Sequence, residues 1–586
     1  MYILGISCYY HDSSAALLKD GKIVAAAEEE RFTRKKHDTS FPVNAIKYCL
    51  QSQGISANKL SYIGFYEKPL LKFERVLSQH LQFFPHSLKT FLSSMPSWVN
   101  DKLRVTKKIK KELKYKGDVL FIQHHLAHAA SCFLVSPFKK AAILTVDGVG
   151  EWTTTSYGAG DANEINLMKE IRFPHSLGLL YSAITAYLGF KVNNSEYKVM
   201  GLSAYGNKNS RTNTYYRRLK KVIDIKDDGS YYLDMSYFVY QYADRMPSRK
   251  LCKLLGGGVR QYSEKLTQRH KDIAAALQLI YEEVFTKMLN YVHKETECEN
   301  ITIAGGCGLN SVANGKILQQ TAFKNVWIQP AAGDAGTSIG VVSYIYYTLL
   351  RNKRTYIQDN AFLGPSYSKT EIKRFLENNK IKYNIFKNRQ ELIQKTAKLI
   401  LQNNVIGWFQ GRMEWGPRAL GSRSILANPC NPEAQDLLNL KVKHREKFRP
   451  FAPVVCEDDA LEYFECDKPV PAPTDFMLMV YPVKKKWHKK IPSVTHIDGS
   501  GRLQTIRRSQ NPLYYDLIKE FGKLGKIPIL INTSFNIRGE PIVCTPYDAY
   551  RCMMGTGIDY LVIDKFLVKR EDNQKHIWDS EKSARD

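Results

Sequence analysis

The sequence contains one short plan of strands and turns twice, and this repeat constrains the fold more than any other feature. The first copy contains three short predicted strands joined by tight turns, in the segments 2–7, 9–18 and 20–26. The second copy begins with a strand from Ala141, followed by a polar turn at residues 147–150, a strand at 153–158 and a third strand after residue 163. Short apolar strands separated by Gly and Asp turns are typical of antiparallel hairpins. The chain is therefore predicted to contain an internal duplication.

Two such units, each followed by helices, resemble the ASKHA fold, the architecture shared by acetate kinase, sugar kinases, Hsp70 and actin. In that fold, paired hairpins hold the phosphates of a nucleotide. The predicted fold class is α/β, with a duplicated ASKHA domain at the N-terminal end. A glycine-rich segment follows the predicted strand 301–304 and contains Gly305, Gly306 and Asn310. Glycines before a helix let backbone N–H groups approach an anionic or planar ligand, so this segment is predicted to contact adenosine.

Two histidines and two aspartates predict a metal site. His124 and His128 are four residues apart in a segment that favours helix, so both imidazoles lie on one face. Asp147 ends a predicted buried strand at a glycine turn, and Asp334 occupies a similar turn before a predicted helix. Two imidazoles and two carboxylates suit a divalent transition metal. The alternative is a histidine pair that only packs or makes hydrogen bonds.

Length, cysteines and charge bound the remaining possibilities. A chain of 586 residues is longer than a single hydrophobic core usually supports, so at least two domains are expected. The eleven cysteines are odd in number and never spaced C-x-x-C, which indicates neither a disulfide framework nor a zinc ribbon. With no leader and no apolar run of transmembrane length, a cytoplasmic protein without a membrane partner is expected. The net charge of +28 is diluted along helices and has one cluster at residues 484–490, so nucleic acid is not the expected partner.

The C-terminal part carries basic clusters embedded in Gly, Pro and predicted strands. A change in composition predicts a linker at residues 356–366. Beyond it, residues 405–424 run from a strand into a glycine-rich loop with three arginines, and residues 441–451 add further positive charge. Guanidinium groups on a glycine loop favour bidentate binding of phosphate. Salt-bridged surface is the alternative for each cluster taken alone.

Several motifs in order make nearly the whole chain resemble the bacterial O-carbamoyltransferases of nodulation-factor and antibiotic biosynthesis. They are the H-x-x-x-H at residues 124–128, the segment 11–13, the charged segment 29–38 and residues 196–202. The resemblance implies a threonylcarbamoyl-transferase-like ASKHA domain at residues 1–355, with iron or another divalent metal on His124, His128, Asp147 and Asp334. It also implies catalytic roles for His11 and Lys36 and a ligand-binding role for Asp12. Without it, residues 29–38 would be interpreted as an exposed charged helix end and His11 as a turn residue.

The resemblance further implies that residues 367–586 form a YrdC-like domain, which makes carbamoyl adenylate from ATP, with Mg²⁺, and carbamoyl phosphate. Three residues match positions expected to act in catalysis: Arg418, Lys443 and Arg449. Four others match positions expected to bind the phosphate-bearing substrates: Arg423, Arg502, Asn532 and Ser534. Nucleotidyl chemistry needs positioning and charge neutralisation more than covalent catalysis, which agrees with the basic clusters.

The function hypothesis is an ATP-dependent O-carbamoyltransferase that acts on a hydroxyl of a small molecule or sugar. Three alternatives are a tRNA threonylcarbamoyl-transferase-like enzyme, an ASKHA-type small-molecule kinase and a basic nucleotide-dependent RNA-binding protein. The sequence leaves open whether the protein forms a homodimer. The sequence does not identify the acceptor, whose pocket is expected in the long segments 60–116 and 215–253, both read as helical.

Overall fold

The computed structural model describes residues 1–573 and Ser580. The chain divides into two compact units. The first comprises residues 1–29 and 37–358, and the second comprises residues 30–36 and the chain from Asp359 onward. The change of unit after Gln358 falls within the stretch predicted as a linker, whereas the assignment of residues 30–36 to the second unit has no counterpart in the sequence prediction.

The first sheet of the first unit has the strand order β3-β2-β1-β4-β5. Strands β1 to β3 form an antiparallel meander, and β4 and β5 continue the sheet in parallel to β1. The bounds are β1 Tyr2–Ser7, β2 Ser14–Lys19, β3 Lys22–Glu28, β4 Leu60–Phe65 and β5 Val119–Phe121.

The second sheet repeats this topology. Its antiparallel meander is followed by two strands parallel to the first, and a separate two-stranded hairpin lies between them in sequence. The meander is β6 Lys140–Val146, β7 Thr153–Asp161 and β8 Glu164–Arg172; the hairpin is β9 Ile223–Ile225 and β10 Tyr231–Leu233; the parallel strands are β11 Asn300–Ala304 and β12 Asn325–Ile328. The predicted duplication and the ASKHA plan are confirmed.

Helices connect the strands and cover the sheets of the first unit. Only α1, Glu30–Thr33, belongs to the second unit among the helices up to residue 343. The others are α2 Val43–Gln51, α3 Pro69–Gln82, α4 Leu88–Asn100, α5 Val105–Leu113, α6 His124–Phe133, α7 Leu177–Tyr187, α8 Glu196–Ser203, α9 Thr214–Leu219, α10 Arg249–Leu254, α11 Gln268–Thr296, α12 Ser311–Asn314, α13 Ile317–Gln320 and α14 Asp334–Ser343.

The second unit is built on one mixed sheet with the order β13-β21-β20-β14-β15-β19-β16-β18-β17. Its strands are β13 Asn384–Ile385, β14 Ile406–Phe409, β15 Arg423–Ala427, β16 Ala452–Cys456, β17 Met479–Pro482, β18 Ser500–Ile506, β19 Ile529–Ser534, β20 Tyr560–Ile563 and β21 Phe566–Lys569. Its helices are α15 Lys369–Asn378, α16 Arg389–Leu401, α17 Ala434–Leu437, α18 Glu457–Tyr463, α19 Pro512–Gly525 and α20 Pro546–Met554. The apolar faces of α16 and α19 cover Trp408 and its neighbours, and this packing forms the core of the unit.

Two predictions about local structure were wrong. The segment 60–116 is not helical from its start, because residues 60–65 form the buried strand β4 beside β1. The segment 215–253 contains the strands β9 and β10 between short helices. In the described part of the chain, the helices lack the combination of length and apolar character that a membrane-crossing helix requires.

Candidate functional site

Four side chains from three separate segments meet inside the first unit. His124 and His128 lie one turn apart on α6, as their spacing predicted. Asp147 follows the last residue of β6, and Asp334 is the first residue of α14. All four side chains are buried. The structure thus brings together every residue that was predicted as a metal ligand.

The four donor atoms are spaced as the ligands of one small cation would be. The Nε2 atoms of His124 and His128 are 3.1 Å apart, and Nε2 of His124 is 3.2 Å from Oδ2 of Asp147. Oδ1 of Asp334 lies 3.7 Å from each Nε2. Ligands bound at about 2.1 Å are separated by about 3.0 to 3.4 Å at octahedral or tetrahedral angles. Nε2 of His128 is 3.9 Å from Oδ2 of Asp147, and the four donor atoms all lie within 4.8 Å of one another, so the set would contract around a bound ion.

Asp334 supplies a second reason to expect a cation here. Neither of its buried carboxylate oxygens has a hydrogen-bond partner within residues 1–573 and Ser580. A buried carboxylate without donors is costly unless a positive charge compensates it. Two imidazole nitrogens and two carboxylate oxygens form a mixed donor set that suits Fe²⁺, Zn²⁺ or Mn²⁺. The residues present fit a divalent metal.

Close backbone packing fixes the elements that carry these ligands. A Cβ atom at Gly340 would lie 1.8 Å from the carbonyl oxygen of Ala127, so α14 and α6 approach as closely as they do only because residue 340 is glycine. The carboxylate of Glu151 accepts the backbone N–H of His124 at 3.0 Å and that of Lys68 at 2.8 Å. A carboxylate at the N-terminus of a helix satisfies free N–H groups and favours the helix dipole. Glu151 therefore holds the first turn of α6, where the ligand pair begins.

The cluster is strongly coupled electrostatically. Burial opposes charge on His124, but the carboxylates of Asp334 and Asp147 outweigh it and raise its pKa to about 9. Burial alone would raise the pKa of Asp147, yet the hydrogen bond from His124 and the charge of His128 bring it well below its usual range. The pKa of Asp334 is also lowered, because the positive charges of His11 and His124 exceed the effect of burial. A proton on His124 thus compensates the carboxylates, and a bound cation would replace it.

A second hydrogen-bonded group lies beside the cluster and contains the predicted residues His11 and Asp12. Oδ2 of Asp12 is 2.9 Å from Nδ1 of His11, and its Oδ1 is 2.6 Å from Nδ1 of His37. Nε2 of His37 lies 2.9 Å from Oδ1 of Asn194. Burial lowers the pKa of His11, but Asp334 and Asp12 outweigh it and raise this pKa to about 10. His11 therefore feels the charge of the ligand cluster.

The predicted glycine-rich contact touches the same cluster. The N–H of Gly306 donates to Oδ1 of Asp147 at 2.9 Å. Gly305 has φ +93°, and a Cβ there would lie 2.2 Å from a backbone carbonyl oxygen of β6, so only glycine fits. Asn310 caps α12 and pairs with Gln278 of α11 at 3.1 Å. The observed roles are structural, and contact of these three residues with a nucleotide stays a prediction.

In the second unit, Lys443 is a buried lysine among cationic side chains. Its Nζ donates to Oγ of Ser534 at 3.2 Å and to Oδ1 of Asn536 at 2.8 Å. Burial lowers the pKa of Lys443 well below its usual range, and nearby positive charges that include Arg449 and Lys36 lower it further. The structure thus brings Lys443, Ser534, Arg449 and Lys36 into one region of positive potential, which favours anionic ligands. Lys36 lies in this unit, whereas His11 lies in the first, so their predicted joint role stays a prediction.

Arg423 holds the glycine-rich loop that precedes β15. Its guanidinium is fully buried and lies 3.6 Å from the centre of the Phe409 ring. It donates at 2.8 to 3.1 Å to the backbone carbonyl oxygens of Gln410, Ser422, Pro365 and Gly411. These bonds occupy the guanidinium in the structure itself. A direct contact of Arg423 with substrate stays a prediction, while its role in shaping the loop is observed.

Glu414 organises the other side of the same loop. One oxygen, Oε1, accepts the backbone N–H groups of Leu420 at 2.8 Å, Ser422 at 2.6 Å and Arg423 at 3.0 Å. Three N–H groups aimed at one buried carboxylate make strong charge-assisted hydrogen bonds. The sequence motif contained Glu414, but only the fold shows that it holds the segment beside Arg418.

Asn532 joins this loop to the sheet. Its Nδ2 donates to the carbonyl oxygen of Ala419 at 3.1 Å and to Oε1 of Gln504 at 2.6 Å. Arg418, beside Ala419, is partly exposed, as is Arg502 on β18. The partly exposed guanidinium groups are accessible to a ligand, whereas Asn532 is buried and positions the loop.

Residues 30–36 are built into the second unit. Nη1 and Nη2 of Arg34 donate to the carbonyl oxygens of Ile542 and Pro541, both at 2.7 Å. Nη2 of Arg31 donates to the carbonyl oxygen of Gly416 at 2.9 Å. The alternative interpretation of residues 29–38 as an exposed helix end was wrong, because residues 29–31 are buried.

Sequence reasoning missed several residues of these sites: Glu151, His37, Asn194, Glu414 and Asn536. His37 lay within the quoted charged segment, and Glu151 followed the turn at Asp147, so both were close to a detected motif. Asn194 is 157 residues from its partner His37, a separation that carries no local signal.

Comparison with known proteins agrees with both halves of the chain. Residues 2–342 match the family described as carbamoyltransferase N-terminus, and residues 397–570 match carbamoyltransferase C-terminus. The chain is 34% identical to nodulation protein NolNO of Sinorhizobium fredii, over 97% of this chain and 80% of that protein. It is also 34% identical to nodulation protein NolO of Bradyrhizobium diazoefficiens, over 78% of this chain and 80% of that one. An uncharacterized protein of Synechocystis sp. is 46% identical over 99% of both chains.

These matches cover the segments that carry the His/Asp cluster and the Lys443 region. The resemblance drawn from the sequence motifs is thereby confirmed. The chain belongs to the carbamoyltransferase family and is a carbamoyl-transferring enzyme.

Proposed function

We propose that this enzyme carbamoylates a hydroxyl group of a small molecule or sugar, using carbamoyl phosphate and ATP through a carbamoyl adenylate. The observation that carries the proposal is the convergence of His124, His128, Asp147 and Asp334 in a chain of this family. The positive side chains that surround the buried Lys443 support a separate phosphate-handling step in the second unit. The relatives are named as nodulation proteins, which agrees with the small-molecule branch of the family that the sequence motifs resemble rather than with tRNA modification.

In the proposed first step, the second unit makes the adenylate. Water converts carbamoyl phosphate into carbamate and inorganic phosphate; a carbamate oxygen then attacks the α-phosphorus of ATP and displaces pyrophosphate. Arg418, Arg502 and Arg449 would bind the phosphate groups, with Mg²⁺ accompanying ATP. Lys443, held by Ser534 and Asn536, would stabilise negative charge as it moves between oxygens. This chemistry is the one implied by the resemblance of the second unit to a YrdC-like domain.

In the proposed second step, the first unit transfers the carbamoyl group. The acceptor oxygen attacks the carbamoyl carbon, the bond from that carbon to the phosphate oxygen breaks, and AMP leaves. The proton of the hydroxyl would pass to Nε2 of His11 in its neutral form, whose Nδ1 is held by Asp12 at 2.9 Å. A cation on Asp334 would favour this neutral form, because it would compensate the carboxylate that raises the pKa of His11. A divalent cation on His124, His128, Asp147 and Asp334, iron in the family that the sequence resembles, would supply Lewis-acid polarisation of the carbamoyl group.

The location that we propose for this reaction is the cytoplasm. All eleven cysteines are free thiols, and several are buried. Free cysteines are typical of a reducing compartment.

The proposal is tested by incubating the purified enzyme with ATP and carbamoyl phosphate, with and without Fe²⁺. Mass spectrometry should detect carbamoyl adenylate, with equimolar release of pyrophosphate. Well-folded enzyme that forms a phosphorylated product from ATP alone would instead favour a kinase. Salt-sensitive RNA binding without any carbamoyl product would favour the RNA-binding alternative.

Two variants separate the half-reactions. His124→Ala should abolish transfer to an acceptor while adenylate formation remains measurable, because the His/Asp cluster acts only in the second step. Arg418→Ala should reduce adenylate formation while transfer from chemically supplied carbamoyl adenylate continues. Equal loss of both half-reactions in His124→Ala would contradict this division of labour.

A further inference from the structure

The first unit exposes an unusual number of large apolar side chains on one helical hairpin. This hairpin consists of α3, α4 and the turn between them, residues 69–100. Seven of the twenty exposed large apolar residues found in the described part of the chain lie on it: Leu70, Leu71, Leu81, Phe84, Leu88, Leu92 and Val99. Scattered exposed apolar residues are ordinary, but a concentration of them marks an interaction surface.

Helix α4 has two apolar faces, and packing within the unit uses only one. Trp98 is buried against Phe73, with ring centres 5.5 Å apart. On another face, Leu88, Leu92 and Val99 are 44%, 63% and 48% exposed. Their spacings of four and seven residues place them in one stripe along the helix. The outward stripe is not covered by other residues of the described chain. A partner that binds this face would account for its apolar character.

The charge pattern indicates which kind of partner fits. Residues 81–100 contain no Asp or Glu and one Lys, Lys89. Residues 102–116 contain eight Lys or Arg and a single acidic residue, Glu112. On α5, Ile109 is buried and Lys110 and Lys111 are exposed, so the amphipathic helix turns its lysines to solvent. An apolar stripe followed by a solvent-facing basic helix matches an anionic lipid surface, where apolar groups enter the headgroup region and lysines meet lipid phosphates.

We propose that the hairpin and α5 dock reversibly on an anionic membrane surface. A second copy of this chain fits the same face less well, because a symmetric contact would bring two lysine-rich segments together. This proposal departs from the expectation of no membrane partner, which rested on hydropathy and therefore on long apolar runs alone. A surface-bound helix needs only a short exposed stripe, which becomes visible once the burial of each side chain is known.

The hairpin is connected to the His/Asp cluster through neighbouring side chains. From the inner side of α3, Nζ of Lys72 pairs with Oε2 of Glu67 at 2.5 Å and lies 5.1 Å from the centre of the Tyr10 ring. The neighbouring Tyr66 packs its ring 5.4 Å from that of His124. Docking would therefore bring the transfer site close to the bilayer, although the docking itself does not depend on the proposed reaction.

Co-sedimentation with vesicles tests the proposal on the full-length protein. Vesicles of phosphatidylcholine with phosphatidylglycerol should bind the protein at low salt, and vesicles of phosphatidylcholine alone should bind it weakly. Replacing Leu88, Leu92 and Val99 together by Ser should weaken binding at least about tenfold, because the apolar insertion is lost. Replacing Lys107, Lys110 and Lys111 by Gln should weaken it at least about tenfold as well and remove most of the salt dependence.

A matched control replaces three equally exposed apolar residues elsewhere, Leu349, Ile385 and Leu524, by Ser. This control should bind vesicles like the unchanged protein. The proposal is wrong if the unchanged protein does not bind the anionic vesicles, or if the Leu88, Leu92 and Val99 variant binds as well as the control. It is also wrong if light scattering shows a dimer that this variant converts to monomer, because the stripe would then belong to a contact between copies.

Discussion

The Nε2 atoms of His124 and His128 lie 3.1 Å apart in the interior of the first unit. At this distance only one of the two nitrogens can direct a proton at the other. The spacing is therefore stable in two situations: one proton is shared between the rings, or a cation takes its place. In both situations the carboxylates of Asp147 and Asp334 stabilise the positive charge. Metal affinity, the number of bound protons and the stability of the fold are therefore linked at this site.

Metal binding should stabilise the enzyme through this cluster. Addition of Fe²⁺ under anaerobic conditions, or of Zn²⁺, should raise the Tm of metal-free protein, with about 2.7 kcal/mol of stabilisation at a hundredfold excess over Kd. His128→Ala should lose most of this shift and of the bound metal, measured by elemental analysis. The exposed His86 provides a control, and His86→Ala should behave like the unchanged protein. An undiminished metal shift in His128→Ala would contradict the assignment of the site.

The metal-free protein should lose stability as the pH rises through about 9. The folded pKa of His124 is about 9, above its ordinary value of 6.5, mainly because the carboxylates of Asp334 and Asp147 outweigh burial. The contribution of His124 is therefore complete below pH 6.5 and disappears above pH 9, by roughly 1 to 3 kcal/mol. The pKa values of Asp147 and Asp334 are lowered in the folded protein, so these carboxylates contribute stability that is lost only in acid, as the pH falls below 3.8. They do not affect the alkaline loss. Urea unfolding from pH 6 to 10 should show the alkaline loss in the unchanged protein and a flatter profile in His124→Gln.

Asp12 should matter for transfer and not for activation. Replacement by Asn removes one of two acceptor oxygens, so Nδ1 of His11 or of His37 loses its partner. We expect Asp12→Asn to lower kcat of carbamoyl transfer by about tenfold or more, while adenylate formation changes less than about twofold. The limb of the pH–rate profile on which activity rises with pH should also move to lower pH, because His11 must lose its proton to act as a base and Asp12 helps to raise its pKa.

A control and a conservative variant accompany this test. Asp227 is fully exposed, and Asp227→Asn should leave both half-reactions unchanged. Asp12→Glu keeps two acceptor oxygens and should recover part of the rate. If Asp12→Asn slows both half-reactions equally, its effect is on folding and not on the position of His11.

Much of the first unit could be predicted because its signals are local. The strands around the Asp20–Gly21 turn, and the end of β6 at Asp147, follow from apolar runs bounded by turn residues. The pair His124 and His128 follows from helical periodicity. Both kinds of signal lie within one or two turns of chain, where the sequence is most informative.

Long-range partners could not be predicted in this way. Nothing near Glu151 indicates that its carboxylate would accept the N–H of His124. The charges of Glu30 and Arg31 favour exposure, although both side chains are buried within the second unit. For α4, periodicity shows two apolar faces but not which one is covered. In each case the environment of the side chain is decided by which distant segment of the chain packs against it, and that depends on the whole fold.

Glu414 should be required for adenylate formation. Its Oε1 accepts three backbone N–H groups, and a neutral amide would bind them more weakly. We expect Glu414→Gln to slow pyrophosphate release by about tenfold, equivalent to ~1.4 kcal/mol, while transfer from supplied carbamoyl adenylate is retained. Glu433 is exposed, and Glu433→Gln is the matched control. Normal pyrophosphate release in Glu414→Gln would show that the loop keeps its shape without this charge.

Arg34 should stabilise the second unit, although it lies near the start of the chain. Its guanidinium satisfies the carbonyl oxygens of Pro541 and Ile542 at 2.7 Å, and its removal leaves both without these donors. Hydrogen bonds to charged groups contribute about 1.5 to 3 kcal/mol each, so local opening of residues 538–556 should become much easier in Arg34→Ala. Hydrogen exchange followed by mass spectrometry should show faster exchange in peptides from this region and unchanged exchange in β6. Arg508→Ala, at an exposed arginine of the same unit, should leave both regions protected. Unchanged protection of residues 538–556 in Arg34→Ala would mean that residues 30–36 accompany the second unit without supporting it.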